Sequence, residues 1–464
     1  MIETNEPDRF GRDWIDLLCK VGCTLTLLFG GILALTAWSK GFATTTPRTV
    51  LFIGLPLLLV FIAAVLLFLD RSNRKLGCLC AVFAGLAVLA AELVVGSHVT
   101  TPAVLAPNST ERAAIVELEE AFQAGVVPPI CPQMLYANGP NGVQFFLEGG
   151  DGQPLLPLAG PSDRRVGRIA SSEVTVAPND RFGFNNPDAV WDRPTSVLLI
   201  GDSFTYGADV PFGAGYSDYV RDEILGTVNL GCGGNGPLSA LAALTEYGPL
   251  LKPSIVVWGY YEGNDLTKDI HKEAANPMLL KYLERHEGSP QRLANRQGEI
   301  DRVLNEFVAD EAQARQNRAV QEGLAESPPP DAPMSQWMRR TATLYHLRSA
   351  LGLSQDFSPE ALALADRVLA RMQDIVSAWG GRLVVFHIPS ETRWLNPIAE
   401  ADVAAYTARV RTVAESHSAQ WISAAPVLAA SADNPRQMYR GHFTKKGYRI
   451  AGEELATFLS GILQ

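Results

Sequence analysis

The chain has no surplus of basic charge. Its 39 Lys and Arg are outnumbered by 49 Asp and Glu, for a formal net charge of −10. A surface that neutralises a phosphate backbone needs the opposite sign, which argues against nucleic acid as a partner. The six cysteines form no Cys-x-x-Cys pair and no Cys/His metal spacing. Cys19, Cys23, Cys78 and Cys80 lie in or beside apolar segments and read as small packing residues. Cys131 and Cys232 either pair in an oxidising compartment or both stay as thiols. Charge is also missing from most of the first 98 residues, which hold eight basic and seven acidic side chains, so the acidic excess belongs to the remainder.

Three apolar runs occupy that N-terminal stretch. Val21–Ser39 and Val50–Leu69 carry no charge, and Leu76–Gly96 carries only Glu92, near its far end. Each is close to the length that crosses a bilayer's hydrocarbon core. Three in succession with short connections fit neither a soluble core nor a signal peptide. Arg9, Arg12 and Lys20 precede the first run, and Arg71, Arg74 and Lys75 lie between the second and third. The first loop has only Lys40 and Arg48. This bias places the N-terminus in the cytoplasm and everything after the third span outside it. The expectation is a multi-pass protein of a bacterial inner membrane, with Trp38 and Phe42 at the outer interface and Glu92 near the outer head groups.

Residues 99–193 form a juxtamembrane region. Thr110–Gln123 has the apolar spacing of a short helix. Val126–Gly160 is rich in Pro and Gly and reads as turns around extended pieces such as Val143–Leu147. Arg168–Val176 reads as a strand. From Thr195 onward, apolar strands alternate with helices. Strands are predicted at Val197–Ile200, Thr227–Leu230, Ser254–Tyr260, Arg382–Ile388 and Gln420–Ser423. Helices are predicted over Tyr216–Leu225, from Pro237 to about Tyr247, from Ser358-Pro359 to Gly380, over Ala399–His417 and over Thr444–Leu463. This alternation predicts a doubly wound, mostly parallel α/β sheet. Residues 266–357 interrupt it. Ile300, Val303, Leu304, Phe307 and Val308 have helical spacing there, and Ser327-Pro328-Pro329-Pro330 breaks a polar stretch. The interruption is either a lid or binding subdomain, or a surface insertion without a fixed structure.

Four chemical groups fall at strand ends or at the entrance of the last helix. Gly201-Asp202-Ser203 follows the first strand and puts a hydroxyl where open α/β sheets place chemistry. A glycine turn, Gly231 to Gly236, follows the second strand, and Gly234 can offer a backbone N–H to a developing oxyanion. Gly263-Asn264-Asp265 follows the third, and an Asn amide is a suitable second donor. His442 precedes the last helix and can take a proton from Ser203. Each has a plainer role available, as a cap or a turn. Their order along the chain is what argues for a joint site. His387, at the end of the fourth strand, reads as a core or rim histidine.

This ordered set resembles the SGNH (GDSL-type) hydrolase family over about Pro194–Gln464. The residues that carry the resemblance are Gly201-Asp202-Ser203-Phe204-Thr205-Tyr206-Gly207, Asn229-Leu230-Gly231-Cys232-Gly233-Gly234, Gly263-Asn264-Asp265 and His442-Phe443-Thr444-Lys445-Lys446-Gly447-Tyr448. It implies a three-layer α/β/α sandwich with a flavodoxin-like sheet, and Ser203 as nucleophile. It also implies an oxyanion hole of Gly234, Asn264 and the Ser203 N–H, His442 as base, and no cofactor or metal. The Gly-x-Ser-x-Gly elbow of α/β-hydrolases does not fit, because Thr205 stands at its last position. The family usually has Asp three residues before the His. Here that residue is Tyr439, and either Asp433, the nearest upstream acid, or a backbone carbonyl takes its place. The functions implied are a membrane-anchored extracytoplasmic esterase acting on acyl or acetyl esters of an envelope glycan or lipid, an O-acyltransferase for envelope polysaccharide using the same site, or a non-catalytic envelope scaffold.

Overall fold

In a computed structural model, the structure describes residues 9–39, 49–98, 126–127, 147–284 apart from 151, 164 and 171–172, 290–306, 348 and 357–464. The predicted helix at Thr110–Gln123, most of the extended piece at Val143–Leu147, Phe42, Cys131, Phe307 and Val308 lie outside them. The chain forms two compact units, one containing the N-terminal helices and the other the sheet.

The N-terminal helices are α1 (Arg9–Ser39), α2 (Leu55–Phe68) and α3 (Arg71–His98). A π-helical turn, Val50–Gly54, leads directly into α2. Among the described residues, Trp14–Ile32 is long and apolar enough to cross a membrane, and Leu55–Phe68 is a shorter apolar helix. The outer faces of α1 and α2 leave large apolar side chains uncovered, among them Phe29 and Phe61, which is 65% exposed. A Cβ at Gly30 would lie 2.7 Å from Val60, so the glycine lets α1 and α2 approach closely.

The larger unit is built on five parallel strands: β1 (Val197–Gly201), β2 (Thr227–Asn229), β3 (Ile255–Tyr261), β4 (Arg382–Ile388) and β5 (Gln420–Ser423). Their spatial order is β2-β1-β3-β4-β5, the flavodoxin-like order. The strand runs are apolar because both faces are covered. Val197, Leu199, Val257, Val384 and Phe386 face a core shared with Tyr216, Val220, Tyr448, Leu455 and Leu459. These come from α4 (Tyr216–Glu223) and α5 (Lys445–Leu463). The alternate residues Leu198, Ile200, Val256 and Trp258 are equally buried, and α6 (Pro237–Leu251, lying between α4 and α5 in the chain) packs on β1 from that face. Pro237 opens α6, where its missing N–H costs nothing. Further helices run over Pro359–Ser377 and Pro397–Ser416.

Two expectations change in detail. The single strand expected near Arg168–Val176 is an antiparallel pair, Arg165–Ala170 with Glu173–Pro178. The interruption of the α/β order begins in short helical turns, Asp265–Asp269, Ile270–Glu273 and Pro277–Lys281, with a helix over 297–306. Ile300, Val303 and Leu304 are buried there, as their spacing predicts. Gln291 accepts from the Leu156 N–H, and Asp301 accepts from the N–H and hydroxyl of Ser162.

Candidate active site

Strand order determines where the chemistry can lie. The first crossover from β1 goes to β2 on one side, and the return goes to β3 on the other. The crevice beyond the carboxyl ends of β1 and β3 is therefore a topological switch point, the ligand position of open α/β sheets. Ser203 follows β1, Gly234 follows β2 and Asn264 follows β3. All three lie at this edge, with β1 between its two neighbours.

Asp202 caps the four-residue helix Ser203–Tyr206 by accepting from the Phe204 N–H at 2.9 Å, and Gly207 ends it in the left-handed region. Close approach of this helix to the strand ends needs glycines. A Cβ at Gly231 would lie 2.6 Å from the Tyr206 nitrogen and from the Thr205 Cβ, and one at Gly259 would lie 2.5 Å from the Thr205 hydroxyl. The Tyr216 hydroxyl donates to the Thr205 hydroxyl at 2.8 Å, beneath the turn that carries Ser203. The side-chain amide of Asn229 donates to the Thr205 carbonyl.

The sequence places Ser203 and His442 239 positions apart, and the fold brings them together: His442 Nε2 lies 2.7 Å from Ser203 Oγ. His442 stands on a tight hairpin, Tyr439–Arg440 with His442–Phe443, turned by Gly441 at φ 81°. Phe204 packs on the imidazole with ring centroids 4.9 Å apart, and Phe443 and Tyr448 back it. The other ring nitrogen, Nδ1, lies 2.6 Å from Asp209 Oδ2. Asp433 is not that partner. It is exposed in the segment between Ala425–Ala430 and the 3-10 turn Pro435–Met438, and Nδ1 is already engaged by Asp209. Tyr439, at the position where the resemblance leads one to expect an acid, is buried. Its hydroxyl donates to the Pro389 carbonyl at 2.9 Å and accepts from the Trp394 indole at 3.3 Å. It anchors the hairpin to the loop after β4.

No model of a known protein family matches the chain, and no curated protein is similar to it. Similar solved structures include a protein of Desulfitobacterium hafniense described as lipolytic and of the G-D-S-L family. It is 13% identical over 57% of this chain and 98% of its own, with a TM-score of 0.29. A Bacteroides fragilis protein described as an acylhydrolase is 13% identical over 58% of this chain and 88% of its own, also at 0.29. An α/β hydrolase enzyme from the metagenome of Lake Arreo is 16% identical over 58% and 96%, again at 0.29.

Gly234 adopts φ 77° and is exposed at the rim. Asn264 is half-buried and begins the turn Asp265–Asp269, its carbonyl accepting from the Lys268 and Asp269 N–H groups at 2.9 Å. His387 is a core histidine, as expected, but not an isolated one. Its Nε2 lies 2.8 Å from Glu262 Oε2 and its Nδ1 lies 2.7 Å from Ser423 Oγ. Glu262 also accepts from the Ser390 N–H, the Thr407 hydroxyl and both Nε and Nη2 of Arg393. Burial works against its charge, but His387 and Arg393 outweigh it and hold its pKa well below the usual range. Glu262 stands two residues before Asn264, so this network fixes the base of the Asn264 loop. Sequence reasoning missed it, since its members are scattered over the loop after β3, β4 and the loop after it, the helix Pro397–Ser416 and β5.

Four buried carboxyls lie behind the Ser203 turn: Asp202, Asp265, Asp269 and Glu273. Burial pushes Asp202 up to about 6, with His442 pulling the other way, and pushes Asp269 up to about 7. Asp265 is raised well above its ordinary value by burial and by the neighbouring Asp202 and Asp269. Among the described residues, no group of three or more His, Cys, Asp or Glu converges as metal ligands. Cys232 is buried in the turn after β2 and is in no disulfide among the described residues.

Proposed function

We propose that the protein is an SGNH-type serine esterase, anchored in a bacterial inner membrane by three spans, with its site outside the cytoplasm. The observation that carries this reading is the 2.7 Å contact between His442 Nε2 and Ser203 Oγ at the switch point of the sheet. In this reading, Ser203 Oγ attacks the ester carbonyl while His442 Nε2 takes its proton. An Oγ–carbon bond forms, the carbonyl oxygen becomes an oxyanion, and Gly234 N–H, Asn264 and the Ser203 N–H stabilise it. The ester C–O bond then breaks, and His442 returns the proton to the departing alcohol. Water, deprotonated by His442, attacks the acyl carbon, the Oγ–carbon bond breaks, and His442 returns the proton to Ser203 Oγ as the acid leaves. The substrate class is an acyl ester of an envelope glycan or lipid.

Ester turnover tests the reading. The detergent-solubilised full chain is expected to hydrolyse p-nitrophenyl acetate, and Ser203→Ala is expected to reduce kcat at least about 10³-fold. Turnover unaffected by Ser203→Ala removes the reading and leaves the scaffold. Transfer of acetyl to an added glycan hydroxyl in preference to water makes the same site an acyltransferase.

A further inference from the structure

We propose that Asp209 holds the His442 imidazole in its working tautomer and orientation, from a place in the chain where the resemblance does not look for an acid. The inference rests on Ser203 and His442 acting as just described. The contact is direct: Asp209 Oδ2 and His442 Nδ1 are 2.6 Å apart. With Nδ1–H donated to the carboxylate, Nε2 presents its lone pair to the Ser203 hydroxyl, the arrangement a general base needs.

The local backbone is built to present this carboxylate. Asp209 adopts φ 59°, a conformation that a non-glycine residue takes at a cost and that Asp tolerates better than most. It lies between Gly207 at φ 79° and Gly213 at φ 81°, so the loop leaving the nucleophile turn doubles back on itself. Across from it the hairpin turn is a glycine. A Cβ at Gly441 would stand 3.6 Å from Asp209 Oδ2, an ordinary contact, so it is the φ of 81° rather than space that favours glycine at this turn. The alternatives are engaged or distant: Tyr439 is fixed on Pro389 and Trp394, and Asp433 is exposed elsewhere. Nucleophile and acid thus share one loop six positions apart, in the chain order Ser, Asp, His. The Asp209 side chain is 49% exposed, so a small carboxylate can reach the space that its truncation would leave.

The test uses the full chain in detergent. Asp209→Ala is expected to lower kcat roughly 10²- to 10⁴-fold with KM within about twofold. Asp209→Glu should recover part of the loss. Added formate should restore turnover in Asp209→Ala but not in Ser203→Ala. A purely structural role would give neither form of rescue. The proposal is overturned if Asp209→Ala keeps kcat within about threefold while Ser203→Ala abolishes it, or if Asp433→Asn shows the loss instead. A second measurement does not depend on turnover. The proton NMR spectrum should show a far-downfield imidazole N–H that survives in Ser203→Ala and disappears in Asp209→Asn. Its persistence in Asp209→Asn overturns the proposal. Its expected behaviour without any ester turnover leaves the contact standing and removes only the esterase reading.

Discussion

Gly231 shows how closely single residues control the candidate site. The atoms that a side chain would meet there are the Cβ and carbonyl carbon of Thr205 and the nitrogen of Tyr206, none of which can rotate aside. Gly231→Ala should therefore shift the Ser203 turn, lowering kcat by more than tenfold and the thermal midpoint by several degrees. Wild-type kinetics in that variant would mean that the turn is not held as tightly as described. Glu262 is the second such residue. Glu262→Ala leaves Arg393 and His387 buried without their carboxylate, a change that costs about 3–5 kcal/mol by analogy with other broken buried pairs. The pH dependence follows from the sign of its shift. Its folded pKa is lowered, so its contribution is present above the ordinary carboxylate value of 4.5 and fades as pH falls below that. Acid melts of the wild type and Glu262→Gln should converge as pH drops, and a constant gap would contradict the assignment. At this scale the sequence exposed Ser203 and His442, because position in the α/β order marks them. It could not expose Asp209. A contact across 233 positions made through a left-handed loop leaves no local pattern, and Tyr439 at the expected place diverted attention to Asp433.

At the scale of elements, α6 carries the turn that holds Gly234. The first N–H groups of a helix lack partners inside it. Here the Glu273 carboxylate accepts from Gly236, Leu238 and Ser239 N–H at 2.7, 2.8 and 3.2 Å. The cap comes from a different element, Ile270–Glu273, so the segment after Asn264 braces the segment after β2. Glu273→Ala should destabilise by about 1–2 kcal/mol and also reduce kcat, because two of the three proposed oxyanion donors, Gly234 and Asn264, lie on the braced loops. A fall in stability with kcat unchanged would show that the brace and the site are independent. The five strands were legible almost to the residue, since apolar β-branched runs buried on both faces have few other uses. The helical turns from Asp265 to Lys281 were not. They are short, polar in part, and held by long-range caps rather than by periodicity. The Asn186 side chain was equally hidden: it pairs with both the N–H and the carbonyl of Asn229, covering the edge strand β2 where a further strand would otherwise be needed.

For the whole molecule, the buried carboxyls and Glu262 set opposite slopes. Asp202 and Asp269 have folded pKa values raised above their ordinary 3.8, so the stability they favour is complete below that value. It is lost as pH rises through about 6 and 7. With Glu262 acting below 4.5, the thermal midpoint should peak in mildly acidic solution and decline toward pH 8. Asp269→Asn should flatten the decline, and an unchanged slope would mean that Asp269 is not the proton holder.

Membrane orientation can be argued from contacts as well as from charge. Arg74, near the start of α3, lies 3.7 Å from Asp16, near the start of α1, and Cys78 Sγ lies 3.9 Å from Cys23 Sγ. Lys20 pairs with the same Asp16 at 3.0 Å. Two helices whose early residues touch begin at the same end of the bundle, and α2 between them must return in the opposite sense. Arg9, Arg12, Lys20, Arg71, Arg74 and Lys75 therefore fall at that end of the helices, and in the proposed three-span arrangement it faces the cytoplasm. In the same proposed arrangement the chain leaves α3 on the outer side. Alkaline phosphatase, active only outside the cytoplasm, should be active when fused after Gln464 and silent when fused after Asn73. The reverse pattern, or activity at both positions, would invert or abolish the proposed three-span arrangement and move the esterase site to the other side of the membrane.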